Sequence, residues 1–476
     1  MSVYQIPDEY NYRLHHCRPR FKNNVENVLI YMATEITLIG SRERDDFNSA
    51  LNNAIRCFPG NATHTDKTIN NWRTEISSLF GLFYEDDNKY NHACLRAREL
   101  AESNDLVQFF KQFCFMFQYP GAHLKSHFIL DQIEHGIHFK PAQYFLKVIQ
   151  SAEKEMGKLC YITKAEACYC IMNDLRCTRD NEAPINAWKR IKRNRELGIE
   201  YEQKGDIIRY AGDILDYLER ANLLNSFNGK EFYLNHRENE NILKFVNSVE
   251  WFSGYDGMIE RRGGSLDEIN SQRCNWFEYV NKDISDTDFS TDITEYISAD
   301  ASEGEERNEK MRLFATYLKH IEEFEKLNTK DIGDIGETLV EGHECERLRI
   351  GGRENLVHLV RKIPTELAVG YDISSRELDA TLRNIEVKTT ISSRLIAFNK
   401  VHLTPNEWQA ATSYRNRYFI YRLMISKKDI KLFVMRDPVR LYKNDLIDIS
   451  PVNGMEVTFH DDSGSYEELL AWQGKE

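Results

Sequence analysis

The sequence predicts a multidomain protein: a mainly α N-terminal region with winged-helix units, then an α/β C-terminal domain. Three observations lead there. Through the first 280 positions apolar residues recur mostly at helical spacing. Between Ile162 and Asn235 helical stretches are followed by a hairpin signal, the order of a winged helix. Beyond an acidic stretch the pattern changes to one helix, several β-rich runs, a second helix and two further β-rich runs, as in a sheet flanked by helices. A chain of 476 residues is also more than one core usually serves. The expected divisions are 1–150, helical and winged-helix-like; 151–280, a second winged-helix region; 281–325, an acidic linker; and 326–476, the α/β domain.

Taken in order, VENVLIYMATEITLI (25–39) has helical periodicity. In residues 64–84, Ile69, Trp72, Ile76, Leu79 and Phe80 fall three or four apart, so one helix is expected there. A polar turn at EDDNKYN leads to a second helix near 93–103. Residues 66–102 are thus a candidate small domain with its recognition helix at 68–82, although no residue-level repeat is visible. QFFKQFCFMFQYP follows, and after Pro141 comes a further helix, PAQYFLKVIQSAEK. Thr163 and Glu166 form a capping-box pair that starts a helix at ITKAEACYC. Residues 206–224 place Ile207, Ile208, Ala211, Ile214, Leu215, Leu218 and Leu223 on one face of an amphipathic helix. Asn228-Gly229 between two short alternating runs marks a hairpin.

Within that second unit NAWKRIKRNREL carries Lys189, Arg190, Lys192, Arg193 and Arg195, the densest basic patch of the chain. Such cations neutralise phosphates, so the patch is the expected DNA contact, with Arg209 and Tyr210 as candidates for reading bases. The net charge of −13 excludes a chain that is basic throughout, yet leaves room for a local patch. Residues 282–310 hold ten carboxylates and few large apolar side chains, which suits a linker.

No run of eighteen apolar residues occurs and the start lacks a basic head with an apolar stretch, so neither a membrane span nor a secretory signal is expected. Ten irregularly spaced cysteines without a CxxC pair suit reduced thiols in a bacterial cytoplasm. P-loop, G-x-S-x-G and H-E-x-x-H patterns are absent. His343 and His402 are expected to be structural.

In the last third, residues 328–347 read as a helix with Glu337 near its middle. RLRIGG, NLVHLVRK, LAVGYDIS and RNIEVKTT read as strands; VHLTPNEWQAATSYRN as a strand running into a helix near Pro405; YFIYRLMIS and KLFVMRD as two more strands. Alternation puts Glu386 and Lys388 on one face of NIEVKTT, and Asp372 on a neighbouring strand can join them. Two carboxylates held close repel, and a hard divalent cation such as Mg²⁺ relieves the repulsion, with the Val387 carbonyl as a further ligand. An ammonium beside the pair can offset charge on a phosphate under attack, so the set suits phosphodiester hydrolysis.

The arrangement Glu337…GYD…IEVKTT resembles the PD-(D/E)XK nuclease superfamily, and more closely its bacterial Mrr-like domains with a VGYDI…IEVKTT signature followed by an L-x-x-x-E-W-x-x-A helix, here LTPNEWQAA (403–411). The likeness spans about 332–436. It implies a mixed sheet flanked by helices, with Asp372 and Glu386 as Mg²⁺ ligands, Lys388 as the catalytic lysine and Glu337 as the helix acid. Gln409 is a candidate accessory residue. Tyr371 stands where the superfamily name has proline. The front half, through NNWRTEISSLFGLF, FCFMFQYP and ITKAEACYC, resembles the recognition part of modular restriction endonucleases. The joint expectation is a type II-like restriction endodeoxyribonuclease acting on double-stranded DNA. Because a double-strand break needs two nicks, a homodimer at the cutting step is a candidate arrangement. The alternatives are a catalytically silent DNA-binding regulator on a nuclease-like fold, and a nuclease acting on RNA or branched DNA.

Overall fold

The computed structural model describes residues 3–470 apart from 20, 22–23, 204–205, 228, 285–288, 290–331, 365–366, 368, 395, 397–398, 427–428 and 452–453. Most of the expected acidic linker therefore lies outside the described residues. The chain divides into two compact units, Met1–Ala101 with Leu106–Phe289, and Glu102–Asp105 with Ser290–Glu476.

The first unit is mainly helical and repeats one order of elements. Its first pass runs α1 (Val25–Ile39), β1 (Arg42–Glu43), α2 (Arg44–Cys57), α3 (Asp66–Thr74, prolonged by a wider turn over Glu75–Leu79), β2 (Phe83–Glu85) and β3 (Tyr90–Ala93). The three strands are ordered β1-β3-β2. After α4 (Leu95–Ser103), α5 (Leu106–Met116) and α6 (Ser126–Glu134), the second pass runs α7 (Pro141–Met156), β4 (Tyr161–Thr163), α8 (Lys164–Ala167, prolonged over Cys168–Met172), α9 (Leu175–Thr178), α10 (Pro184–Glu196), α11 (Asp206–Arg220), β5 (Leu224–Phe227) and β6 (Glu231–Leu234). Its sheet order is β4-β6-β5, the same as the first. Four short helices close the unit: α12 (Asn239–Asn247), α13 (Asp256–Glu260), α14 (Leu266–Ser271) and α15 (Arg273–Val280).

Local chemistry explains the boundaries. Thr163 and Glu166 make the expected capping box, each side chain bonding the other's backbone N–H. Pro141 and Pro184 open α7 and α10, where a missing N–H costs nothing. The helix expected across 64–84 stops early. The chain turns at Gly81, φ 64°, and Phe83–Glu85 pairs with Tyr90–Ala93 instead. Asp86 makes this reversal, its Oδ1 accepting from the Asn88 and Tyr90 N–H groups. The two passes share one aromatic seam: Phe80 lies 5.4 Å from Phe113 and 6.0 Å from Tyr217, centroid to centroid. Two ion pairs tie α11 to the chain before the first sheet, Arg18–Asp213 at 2.9 Å and Arg220–Glu26 at 3.4 Å.

The second unit is a mixed sheet with helices. It comprises α16 (Ile332–Ile350), β7 (Arg361–Lys362), β8 (Ile373–Arg376), β9 (Leu382–Ser392), β10 (Lys400–Leu403), α17 (Pro405–Tyr414), β11 (Tyr418–Ser426), β12 (Ile430–Arg436), α18 (Pro438–Lys443), β13 (Ile447–Pro451), β14 (Met455–Phe459) and β15 (Ser465–Glu467). The main sheet is ordered β15-β12-β11-β9-β8-β7. Only its β9–β11 pair is parallel among the described ladders. One face carries α16, where Gly336 sits so close to Thr389 that any Cβ would collide with the threonine hydroxyl. The other face carries α17 and a small sheet, β10-β14-β13, around Leu403, Ala411, Tyr418, Ile420, Phe433 and Val457.

Of three expected strands, one is absent and two are cut short. RLRIGG continues α16, whose Arg347 reaches back to Glu344 one turn earlier at 2.7 Å. NLVHLVRK is a tight helical turn over Glu354–Leu359 and keeps only two strand residues. LAVGYDIS enters the sheet only at Ile373, because Gly370 adopts φ 78°.

Candidate active site

The turn at Gly370 builds the site. Its left-handed backbone suits glycine, and a Cβ there would meet the Asn406 carbonyl at 2.5 Å and the Ala410 side chain at 2.8 Å. The Tyr418 hydroxyl donates to the Gly370 carbonyl at 3.0 Å. Having turned, the chain joins β9 through the Asp372 N–H, which donates to the Ile385 carbonyl at 2.9 Å. The partner that Val387 N–H would find on a longer β8 is missing, and the Asp372 carboxylate replaces it at 2.8 Å. With Ile373 opposite Ile385, Asp372 falls opposite Glu386.

Glu386 and Lys388 lie on the β9 face that meets α17. The Lys388 ammonium is 2.6 Å from Glu386 Oε1 and 2.9 Å from Glu407 Oε2. Glu407 is the third residue of α17, and its Oε2 also accepts the Thr404 N–H at 3.0 Å while Thr404 Oγ1 accepts the Glu407 N–H at 3.3 Å. A capping box therefore fixes the carboxylate that faces Lys388.

Three carboxylates share this space with one ammonium. Burial raises the Asp372 pKa, against the Val387 N–H and Lys388. Burial also holds Glu386 well above the usual range, with Asp372 and Glu407 adding to the shift and Lys388 opposing it. Burial works against charge on Lys388 too, but Glu386 and Glu407 overcome it and keep the lysine charged. Glu407 likewise overcomes burial through Lys388 and Thr404 and lies below its ordinary value. Lys388 thus bridges Glu386 and Glu407, while burial disfavours the charged forms of Asp372 and Glu386.

Glu337, on α16, pairs with Lys362 of β7 at 3.1 Å, and Lys362 is one of the cations acting on Asp372. Gln409 is exposed on α17; the residue of that helix that reaches Lys388 is Glu407. Glu407 and Lys362 escaped the sequence reading. Glu407 lay within LTPNEWQAA, where its Thr-x-x-Glu spacing already has a structural explanation. Lys362 lay in a run read only as a strand. His343 is buried and accepts the Leu470 N–H at 3.1 Å. His402 lies near Lys388 and Glu407, and burial lowers its pKa. Among the described residues no group of three or more His, Cys, Asp or Glu side chains is set to hold a metal ion.

In the first unit the basic patch occupies α10. Arg190 binds Glu182 at 2.8 Å and the Cys170 carbonyl at 2.9 Å. Arg195 grips both oxygens of Glu166, at 2.6 and 2.7 Å. Lys192 is 3.6 Å from Glu155. Lys189 and Arg193 are exposed, as is Arg209 on α11. Tyr210 is half-buried, its ring 5.8 Å from that of His16.

Comparison with known proteins gives two family matches. Residues 4–277 match restriction endonuclease BpuJI, N terminal. Residues 336–435 match protein NO VEIN, C-terminal, a span that holds Glu337, Asp372, Glu386, Lys388 and Glu407. A solved structure described as pyrene- and phenanthrene-modified DNA in complex with the BpuJ1 endonuclease binding domain matches with a TM-score of 0.51 and 28% identity, covering 58% of this chain and all of that one. No protein of curated function matches. No helix among the described residues is long and apolar enough to cross a membrane.

Proposed function

The chain belongs, through residues 4–277, to the family of the restriction endonuclease BpuJI N-terminal domain, and from that premise we propose that it is a modular, Mg²⁺-dependent DNA endonuclease. The first unit would recognise duplex DNA through its two repeated subdomains, read as winged helices, and the second, read as a PD-(D/E)XK domain, would hydrolyse the phosphodiester. The observation that carries this reading is the convergence of Asp372, Glu386 and Lys388 on one face of the main sheet, beside α17.

The donor set fits magnesium. Two buried carboxylates whose ionised forms are disfavoured gain from a hard cation, and the Val387 carbonyl would be a third oxygen ligand. When bound, Mg²⁺ would clamp the scissile phosphate and lower the pKa of a water. Asp372 would give one oxygen to that site while its Oδ2 stays anchored on the Val387 N–H. Glu386 would give another, the cation favouring the ionised form that burial disfavours. Lys388 would face the phosphate with a charge that offsets the negative charge built up during attack.

The test is cleavage of plasmid and phage DNA with Mg²⁺ and with chelator. Lys388→Ala should abolish cutting while leaving DNA binding, measured by mobility shift, within about twofold, since Lys388 belongs to the other unit. Retained cutting would remove the assignment. The second reading, a regulator without turnover, draws on the Lys388 ammonium standing against Glu386 at 2.6 Å. It predicts duplex binding with no cleavage at any Mg²⁺ concentration.

A further inference from the structure

We propose that Glu407 is a positioning residue that takes the Lys388 ammonium away from Glu386, so that Glu386 becomes free for a divalent cation. The proposal rests on the nuclease reading above and goes beyond it, because neither the helix acid Glu337 nor Gln409 performs this task.

The geometry gives the argument. An ammonium 2.6 Å from Glu386 Oε1 and a dication on the same carboxylate repel each other, so the lysine must withdraw before a metal can bind. A lysine withdrawn into a buried place with no acceptor would meet a large desolvation cost. Here an acceptor is already in contact, at 2.9 Å, so the move is a small rotation of one side chain. The acceptor is also rigid. Its Oε2 takes the Thr404 N–H, its own N–H is held by Thr404 Oγ1, and Pro405 fixes the first helical residue. A mobile carboxylate would follow the lysine back to Glu386; one fixed by a capping box cannot. The lysine then ends between the metal site and α17, charged and still close to the reacting phosphate. In this exchange Lys388 gives up its contact with Glu386 and keeps the one with Glu407, any proton on Glu386 leaves to solvent, and the cation takes the vacated carboxylate.

Magnesium binding to the full chain, followed by calorimetry without DNA, tests the idea. Glu407→Gln keeps side-chain shape and retains an oxygen for the Thr404 N–H, so the helix start should survive. Its melting temperature should stay close to that of the unaltered chain, but Mg²⁺ affinity should fall roughly tenfold, the scale of one lost charged hydrogen bond. The cutting defect should recover at high Mg²⁺. In a Lys388→Met background the same change should have no further effect on Mg²⁺ affinity, because no ammonium remains to be moved. Thr404→Ala, which loosens the cap and leaves the carboxylate, should cost thermal stability and weaken Mg²⁺ binding less than Glu407→Gln does.

Unchanged Mg²⁺ affinity in Glu407→Gln would overturn the proposal while leaving the nuclease reading in place. An equal loss in the Lys388→Met background would also overturn it, since Glu407 would then be a ligand itself. An unaltered chain that neither binds Mg²⁺ nor cuts DNA would remove both.

Discussion

Asp372 and Glu386 set the pH behaviour expected of the site. Each has a folded-state pKa raised by burial, so the folded chain binds these protons more tightly than the unfolded chain. Without metal, their contribution to stability is therefore present in acid and is lost as pH rises from the ordinary carboxylate range through the raised values. A cation must displace the same protons, so Mg²⁺ affinity should rise with pH across that window and protons should be released on binding. Calorimetry in buffers of different ionisation enthalpy would count them. Affinity independent of pH would show that the carboxylates are already ionised. The alternation of NIEVKTT made the shared face of Glu386 and Lys388 legible in the sequence, and the GYD motif supplied Asp372. The pairing of Lys388 with Glu407 was not legible, because it depends on which side of the sheet α17 covers.

At the scale of elements, α16 is fastened to the main sheet by a buried carboxylate. Glu344 accepts from the Ser375 and Tyr421 hydroxyls, at 2.7 and 2.6 Å, and from Arg347, at 3.0 and 2.7 Å. Burial opposes its ionisation, but Arg383 and Arg347 overcome this and bring its pKa down to about 2. A lowered carboxyl pKa contributes stability above its unfolded value that disappears as pH falls toward the folded one, here from about 4.5 toward 2, for about 3 kcal/mol in all. Glu344→Gln should cost on the order of 3–5 kcal/mol, since two arginines lose their counter-charge in the interior. Urea unfolding followed by circular dichroism measures it, and a loss under 1 kcal/mol would mean that the hydroxyls do the fastening. Helix α16 itself was visible from its periodicity. Its extension through Leu348–Ile350 was not, because RLRIGG alternates basic and apolar residues as an exposed strand does. The β2–β3 hairpin was hidden similarly: the Asp86 turn was read as a loop between helices, and its two short flanks lack the β-branched residues that mark strands.

For the molecule as a whole, the first unit repeats α-β-α-α-β-β with one sheet order, a kinship carried by topology and not by residue identity. The expected DNA contacts divide between exposed and committed cations within α10. Lys189→Ala with Arg193→Ala should weaken duplex binding and flatten its dependence on salt by up to about two counterions. Arg190→Ala with Arg195→Ala should instead lower the melting temperature, because it strips charge partners from Glu182 and Glu166. Filter binding across a salt series and a thermal melt separate these outcomes; an unchanged slope for the first pair would move the DNA surface away from α10. The change of fold class along the chain was readable from the switch in hydrophobic period. Two winged-helix-like regions were expected in the first unit, but the shared order of elements was not legible, because the second pass carries two extra helices, α9 and α10, before its last helix.

One consequence follows from the parallel neighbours β9 and β11. Two strands that run the same way cannot be joined by a tight reversal, so the polypeptide must climb out and travel back over one side of the sheet. Here that return route is β10 and α17, and the carboxylate beside Lys388 rides on it. Lengthening the route shortly before Thr404 would leave every strand paired yet alter where the glutamate is delivered, so the very step that wires the fold also sets the spacing of the charges.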